Sequence, residues 1–199
     1  MKKMLLLLLL ALALPMAAFA NNSVDFTNAG GTLSGSNAGL TLSGSTLIAM
    51  GGGGGIITGN LGTLAFSTAA LSSGDLQMGA TFAAGGTFTI TGNGTNGVPT
   101  GTIFSGTFTG PVSWTLVTLA NGTHNYTLSG ALSGTWNTGM SVQGATVQLT
   151  INTGKGFFNG STKISSGDTN IVVPEPGSLA LLGTGLVGLA GVVRRKLKA

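Results

Sequence analysis

Residues 145–152, read as ATVQLTIN, alternate strictly between apolar and polar side chains. The apolar set is Ala145, Val147, Leu149 and Ile151, and the polar set is Thr146, Gln148, Thr150 and Asn152. A period of two places each set on its own face of an extended strand. This stretch therefore predicts a half-buried strand of an antiparallel sheet.

The same pattern recurs in the chain on the N-terminal side of this stretch. Phe88 and Ile90 alternate with threonines in TFTIT, and Phe104 and Phe108 stand among serine and threonine. Threonine and β-branched residues fit a pleated, half-buried surface. From residue 81 onward the sequence predicts a series of strands with one apolar face.

The segment VSWTLVTLANGTHNYTLSGAL, residues 112–132, predicts a hairpin that turns near Asn121 and Gly122. A two-residue turn would set Leu116 against Thr127, so the packing favours a loop with an odd number of residues, or a bulge. With a three-residue loop, Leu116 would face Leu128 and Thr118 would face Tyr126. Trp114, Tyr126 and Trp136 are the expected aromatic anchors of the core.

Residues 21–80 contain short apolar pairs separated by glycine and serine, together with the run Gly51 to Gly55. We predict short strands with many turns there, and a flexible turn or strand breaker at the glycine run. Turn residues recur about every 8–12 positions, and the part between the two ends of the chain lacks an amphipathic helix pattern. The predicted fold is an all-β antiparallel sandwich, with a barrel or a β-solenoid as alternatives, flanked by a helix at each end.

The first twenty residues have the three parts of a secretory signal. Lys2 and Lys3 precede an apolar run, and the small residues Ala18 and Ala20 frame a cleavage site. We expect a signal peptide at residues 1–20, which makes residues 21–173 the exported domain, a suitable size for one domain.

The exported domain has few charges and no cysteine. Its acids are Asp25, Asp75 and Asp168, and its bases are Lys155 and Lys163. The sequence pI of about 9.9 therefore comes from the ends of the chain, and the domain has no basic patch for nucleic acid. The absence of cysteine excludes a disulfide framework.

Catalysis and metal binding need titratable side chains that meet in space. The domain offers three separated aspartates and one histidine, His124. We expect no enzyme, no catalytic residues, no metal site and no cofactor. An enzyme would need at least two of Asp25, Asp75, His124 and Asp168 in one cleft.

The C-terminal segment has three parts in a fixed order. Pro174, Glu175 and Pro176 come first, an uncharged apolar stretch runs over residues 177–193, and Arg194, Arg195 and Lys196 follow. As a helix, the stretch would span about 25 Å, slightly less than a hydrocarbon core of about 30 Å. The basic end would stay cytoplasmic, so the domain would face outward.

These residues resemble the PEP-CTERM sorting signal of Gram-negative bacteria. The resemblance covers residues 174–199 and implies recognition by exosortase, a membrane enzyme, at Pro174, Glu175 and Pro176. It also implies a span over residues 177–193 and retention by Arg194, Arg195 and Lys196, and it associates the chain with exopolysaccharide and biofilm systems. The basic cluster departs from an unbroken run at Leu197, and the resemblance carries no information about residues 21–173.

The sequence therefore predicts an exported protein of the cell surface or extracellular matrix that passes through a membrane-anchored precursor. Its expected partners are exosortase, the inner membrane and exopolysaccharide. We expect a structural or adhesive component of the biofilm matrix. The alternative is a lectin-like module in which exposed Trp136 or Tyr126 stacks on sugar rings.

Overall fold

The computed structural model describes residues 22–52 and 54–173. This part of the chain is built from thirteen strands and one turn of 3₁₀ helix at Thr95–Gly97, with no α-helix among the described residues. The strands are β1 (Asn22–Ala29), β2 (Thr32–Ser36), β3 (Gly39–Gly52), β4 (Gly55–Ser67), β5 (Leu71–Asp75), β6 (Gly79–Phe82), β7 (Gly85–Asn93), β8 (Thr100–Phe108), β9 (Val112–Thr118), β10 (His124–Trp136), β11 (Ser141–Asn152), β12 (Ser161–Lys163) and β13 (Ser166–Val173).

Eight of the strands form a closed antiparallel barrel. The hydrogen-bonded order is β1, β3, β4, β7, β8, β10, β11 and β13, and β13 pairs with β1 to complete the ring. The barrel corrects the prediction of a sandwich and supports the barrel alternative over the solenoid. Closure removes the open edges that these eight strands would have in a sandwich.

Two small extensions flank the barrel where long strands change partners. β10 pairs with β9 over residues 124–129 and with β8 over residues 132–136, while β11 lies along its other side. β6 and β5 continue the sheet beyond β9. In the same way β3 pairs first with β2 and then with β1, and β12 adds to β2.

The predicted alternation is confirmed in β11. Ala145, Val147, Leu149 and Ile151 are buried, whereas Thr146, Gln148, Thr150 and Asn152 are exposed. Four phenylalanines from neighbouring strands pack in the core with ring centroids about 6 Å apart, namely Phe66, Phe88, Phe104 and Phe108. Burial of such rings is worth a few kcal/mol each and drives the sheet to close around them.

The prediction of short strands in residues 21–80 fits β2 and β5, which have five residues each, but it is wrong for β3 and β4. β3 and β4 have 14 and 13 residues and are joined at the glycine run, where β3 ends at Gly52 and β4 begins at Gly55. Glycines inside these strands accommodate irregularities of register between Leu42 and Ser45 and between Leu47 and Ala49.

The loop between β9 and β10 has five residues. This is an odd number, as predicted, but two more than the predicted three. Tyr126 is opposite Leu116, and Leu128 is opposite Trp114. The expected pairs Leu116 with Leu128 and Thr118 with Tyr126 are therefore wrong by two positions. Because apolar side chains must share a face, packing decides whether the loop has an odd or an even number of residues. It does not decide how long the loop is.

No helix among residues 22–52 and 54–173 is long and apolar enough to cross a bilayer. The predicted signal helix at residues 1–20 and the predicted span at residues 177–193 lie outside the described residues.

Candidate functional site

The sorting residues predicted from sequence follow directly on the last strand. β13 ends at Val173, and Pro174 is the next residue. Pro174, Glu175 and Pro176, the cluster of Arg194, Arg195 and Lys196, and the cleavage pair Ala18 and Ala20 all lie outside the described residues. Their roles remain predictions from sequence.

The four titratable candidates do not form a catalytic cleft. Asp25 on β1 and Asp168 on β13 lie close together, but both are exposed. Partial desolvation raises the pKa of the Asp25 carboxyl, and the negative charge of Asp168 raises it further. Neither carboxyl lines the groove described below.

Asp75 and His124 each have a structural role. A carboxylate oxygen of Asp75 accepts hydrogen bonds from the backbone N–H groups of Gln77 and Met78, both at 2.8 Å, which closes the turn after β5. The Nδ1 atom of His124 is 3.1 Å from Oγ1 of Thr118, and its ring stacks on Phe157 with centroids 4.2 Å apart. Among the described residues, no three histidine, cysteine or acidic side chains come together to hold a metal ion.

Tyr126 cannot stack on a ligand in this fold, which corrects that part of the lectin hypothesis. Its side chain is fully buried, and its ring stacks on Trp114 with centroids 5.0 Å apart. The hydroxyl donates a hydrogen bond to the carbonyl oxygen of Gln77 at 2.6 Å and accepts one from the N–H of Phe158 at 3.1 Å. Tyr126 is thus a core residue that fixes two connecting segments.

Trp136 is half-buried at the end of β10. Its ring packs against Phe26 and Phe104, with centroid distances of 5.8 and 6.5 Å. The side chain therefore contributes to the core while part of its surface remains accessible. Trp136 is therefore still a candidate for contact with a ligand.

A shallow groove of about 490 Å³ lies on the outer face of β9, β10 and β11. Its lining residues are Pro111, Ser113, Ser129, Gly130, Thr146, Val147 and Gln148. Hydroxyl and amide groups dominate the lining, and no charged side chain takes part. Such a surface can donate and accept hydrogen bonds without electrostatic preference for an ion.

The register of the strands aligns four polar side chains in a row that begins in the groove. Ser129 pairs with Ser113 on β9 and with Gln148 on β11, and Gln148 pairs with Asp168 on β13. All four side chains are exposed. Because neighbouring strands lie about 4.8 Å apart, the row extends over about 14 Å.

Sequence reasoning did not find this groove, because its residues come from three separate strands. The outward positions on β10 and β11 follow from alternation alone. The alignment of Ser113, Ser129 and Gln148 follows only from the register.

Comparison with known protein families gives one match: the PEP-CTERM protein-sorting motif, at residues 172–196. None of the curated proteins and none of the solved structures compared with the chain matches it. The resemblance read from Pro174, Glu175, Pro176 and the segment after them is thus confirmed, and the chain carries the sorting motif of an exosortase substrate. The motif implies export, recognition by an exosortase and a membrane-anchored precursor.

Proposed function

We propose that this protein is an exported, exosortase-sorted component of the cell surface that acts without catalysis, as a structural or adhesive part of an exopolysaccharide matrix. The observation that carries the proposal is the sorting motif at residues 172–196. The tail would deliver the barrel to the outer face of the membrane, and the barrel would supply the contact with the matrix.

The junction between β13 and the tail suits processing after folding. The last strand ends at Val173, and Glu175 stands two residues further between two prolines. Proline disfavours helix at and before its own position, so the acid is expected on an extended stalk that an enzyme can reach. Cleavage beyond Pro176 would remove no residue of the barrel.

The chemistry of the outer face supports a role in the matrix. Ser113, Ser129, Thr146 and Gln148 present neutral hydrogen-bonding groups in and beside the groove. A polysaccharide carries many hydroxyl groups, and these can exchange hydrogen bonds with such a surface directly or through water.

The titratable groups support a role without catalysis. Asp75 and His124 are committed to hydrogen bonds within the fold. Asp25 and Asp168 are exposed on the neighbouring strands β1 and β13, and neither lines the groove.

Intact-mass measurement tests the sorting step. The protein is recovered from the membrane and the medium of its own host, beside the Glu175→Ala variant and an exosortase deletion. We expect a species without residues 1–20 and without the segment after Pro176, and we expect its loss in the deletion strain. The control is Asp168→Ala, which removes an exposed acid close to the end of the barrel and should leave processing intact. A full-length C-terminus in every sample would refute sorting by exosortase.

A dedicated carbohydrate-binding module is the second candidate, and the polar groove favours it. Retention of the protein on immobilised exopolysaccharide from its host tests this candidate. The double variant Ser129→Ala, Gln148→Ala should lose retention, while Thr63→Ala, which alters an exposed threonine on β4, should keep it. Equal retention of both variants would exclude the groove as the binding site.

A further inference from the structure

Four asparagines in the chain are followed directly by glycine, namely Asn93, Asn96, Asn121 and Asn159. At such a step the backbone nitrogen of the glycine can attack the side-chain amide carbon of the asparagine, because glycine has no Cβ to hinder the approach. Asparagine is accordingly among the thermolabile residue types. The attack needs an asparagine side chain that is free to rotate and a glycine N–H that no hydrogen bond holds, so the fold decides which of the four steps reacts.

Hydrogen bonds hold the side chains of Asn93 and Asn96. The Nδ2 atom of Asn93 donates to the carbonyl oxygen of Asn60 at 2.9 Å, and its Oδ1 atom accepts from the N–H of Thr95 at 3.1 Å. The Nδ2 atom of Asn96 donates to the carbonyl oxygen of Thr58 at 3.0 Å. Rotation of either side chain towards the next residue would break these bonds.

At Asn121 both partners of the reaction are held. Its side-chain oxygen accepts from the N–H and from the hydroxyl of Thr123, at 3.0 and 2.8 Å. The N–H of Gly122, which would be the nucleophile, donates to the carbonyl oxygen of Leu119 at 2.9 Å. The turn between β9 and β10 therefore protects this step, although Asn121 and Gly122 are exposed.

Asn159 lacks these restraints. It is exposed on the connection between β11 and β12. Among the described residues, neither its side chain nor the N–H of Gly160 has a hydrogen-bond partner. Gly160 has a φ of 96°, a conformation that glycine adopts without strain. Rotation of the Asn159 side chain towards Gly160 thus costs no hydrogen bond.

The residues on either side of Asn159 are anchored. Phe158 is buried, and its N–H accepts the hydroxyl oxygen of Tyr126 as its partner at 3.1 Å. The carbonyl oxygen of Gly160 accepts a hydrogen bond from the N–H of Gly35 at 2.8 Å. β12 begins at the next residue and pairs with β2 through three residues. The backbone at Asn159 therefore joins two fixed points of the fold.

We propose that Asn159 is a site of spontaneous deamidation, in which the side-chain amide becomes a carboxylate. The Gly160 nitrogen attacks Cγ of Asn159 and forms a new C–N bond, while the bond between Cγ and Nδ2 breaks. The leaving nitrogen takes up the proton of the Gly160 amide and departs as ammonia. Water then adds to either carbonyl carbon of the resulting succinimide ring and opens it to aspartate or to isoaspartate.

Isoaspartate changes the fold locally, because the main chain then runs through the side chain of residue 159 and is longer by a methylene group. The lengthened backbone cannot keep the bonds of both Phe158 and Gly160 in their present geometry. We expect the short strand β12 to loosen from β2. The inference goes beyond the proposed function and does not depend on the fate of the tail. A chain that stays at the cell surface would accumulate this change with time.

Timed incubation of the purified full chain in detergent, followed by digestion and peptide mass measurement, tests the site. Trypsin releases residues 156–163 as one peptide, in which Asn159 is the only asparagine. A second digest with chymotrypsin reports on the other three Asn-Gly steps. Digestion in heavy-oxygen water marks any conversion that occurs during the digest itself.

In the folded chain we expect Asn159 to convert several-fold faster than Asn93, Asn96 or Asn121. In guanidinium chloride the four steps should convert at similar rates, because unfolding removes the hydrogen bonds that hold three of them. Asn159→Gln should leave the peptide of residues 156–163 unchanged, since the longer side chain closes the ring much more slowly. A rate at Asn159 in the folded chain that is equal to or below the other three rates would overturn the proposal. So would the absence of conversion at Asn159 over a period that converts it in guanidinium chloride.

Hydrogen exchange tests the consequence for β12. The Gly35 amide should exchange several-fold faster in chains that contain isoaspartate, because its acceptor is the carbonyl oxygen of Gly160. Asn159→Asp is the matched control, since it adds the same charge without lengthening the backbone, and its Gly35 amide should exchange as in the unmodified chain. Unchanged exchange at Gly35 in chains with isoaspartate, or equally fast exchange in Asn159→Asp, would overturn the loosening of β12 by isoaspartate.

Discussion

Removal of the Tyr126 hydroxyl should weaken the attachment of two connecting segments to the core. The hydroxyl donates to the carbonyl oxygen of Gln77 and accepts from the N–H of Phe158, a residue that is 1% exposed. Tyr126→Phe keeps the ring and its stacking on Trp114, and removes both hydrogen bonds. The change therefore separates hydrogen bonding from packing.

The expected loss follows from the two partners. A buried N–H without a partner costs about 1–3 kcal/mol, and the Gln77 bond contributes about 1 kcal/mol because Gln77 lies nearer to solvent. We expect a loss of about 2–4 kcal/mol in the free energy of unfolding. For a domain of this size this corresponds to a decrease of roughly 4–16 °C in Tm.

Urea unfolding of the full chain in detergent, followed by far-UV circular dichroism, measures the change. Thr115→Val is the matched control because it removes an exposed hydroxyl from β9, and its effect should stay within about 0.5 kcal/mol. Hydrogen exchange of the Phe158 amide should accelerate in Tyr126→Phe. A stability within 0.5 kcal/mol of the unmodified chain, together with unchanged exchange at Phe158, would refute the reasoning.

Two further predictions concern backbone space and pH. Gly62→Ala should lower the Tm strongly, because φ of Gly62 is 146° and an added Cβ would overlap the Thr91 carbonyl oxygen. The control is Gly110→Ala, where an added Cβ has open space. Equal decreases of Tm in the two variants would contradict this account. The raised pKa of Asp25 means that ionisation of this carboxyl disfavours the folded state, so stability falls as pH rises from the ordinary pKa of 3.8 through the folded value. Asp25→Asn should therefore raise the urea midpoint at pH 7 and leave it unchanged well below pH 3.8, and a lower midpoint at pH 7 would count against desolvation and Asp168 repulsion as the causes of the raised pKa.

Alternation predicted the strands because it depends on each residue and its next neighbours. The buried and exposed sets of β11 match the pattern of Ala145 to Asn152 residue by residue. Closure of the barrel could not be read in this way, since it depends on pairing between β1 and β13 at opposite ends of the domain. Long-range register and the change of partners along β10 decide between a barrel and a sandwich.

The sorting motif and the groove also differ in whether neighbouring residues in the sequence are enough to predict them. The sorting motif is contiguous, so Pro174, Glu175 and Pro176 identified it directly and the family comparison confirmed it. The groove needs the register of three strands. Alternation around Tyr126 also suggested an aromatic that either anchors the core or meets a ligand, and only the bonds of its hydroxyl decide for the core.

The pairing of β1 with β13 sets an order of events during export. The first strand of the domain emerges early, and its partner emerges last, immediately ahead of Pro174. The barrel can close only after the chain has been exported as far as residue 173, and the sorting motif, residues 172–196, begins where the barrel ends. Completion of the fold and arrival of the sorting motif thus coincide, so a chain that stopped before β13 would leave one edge of β1 and one edge of β11 without a partner and would lack the motif.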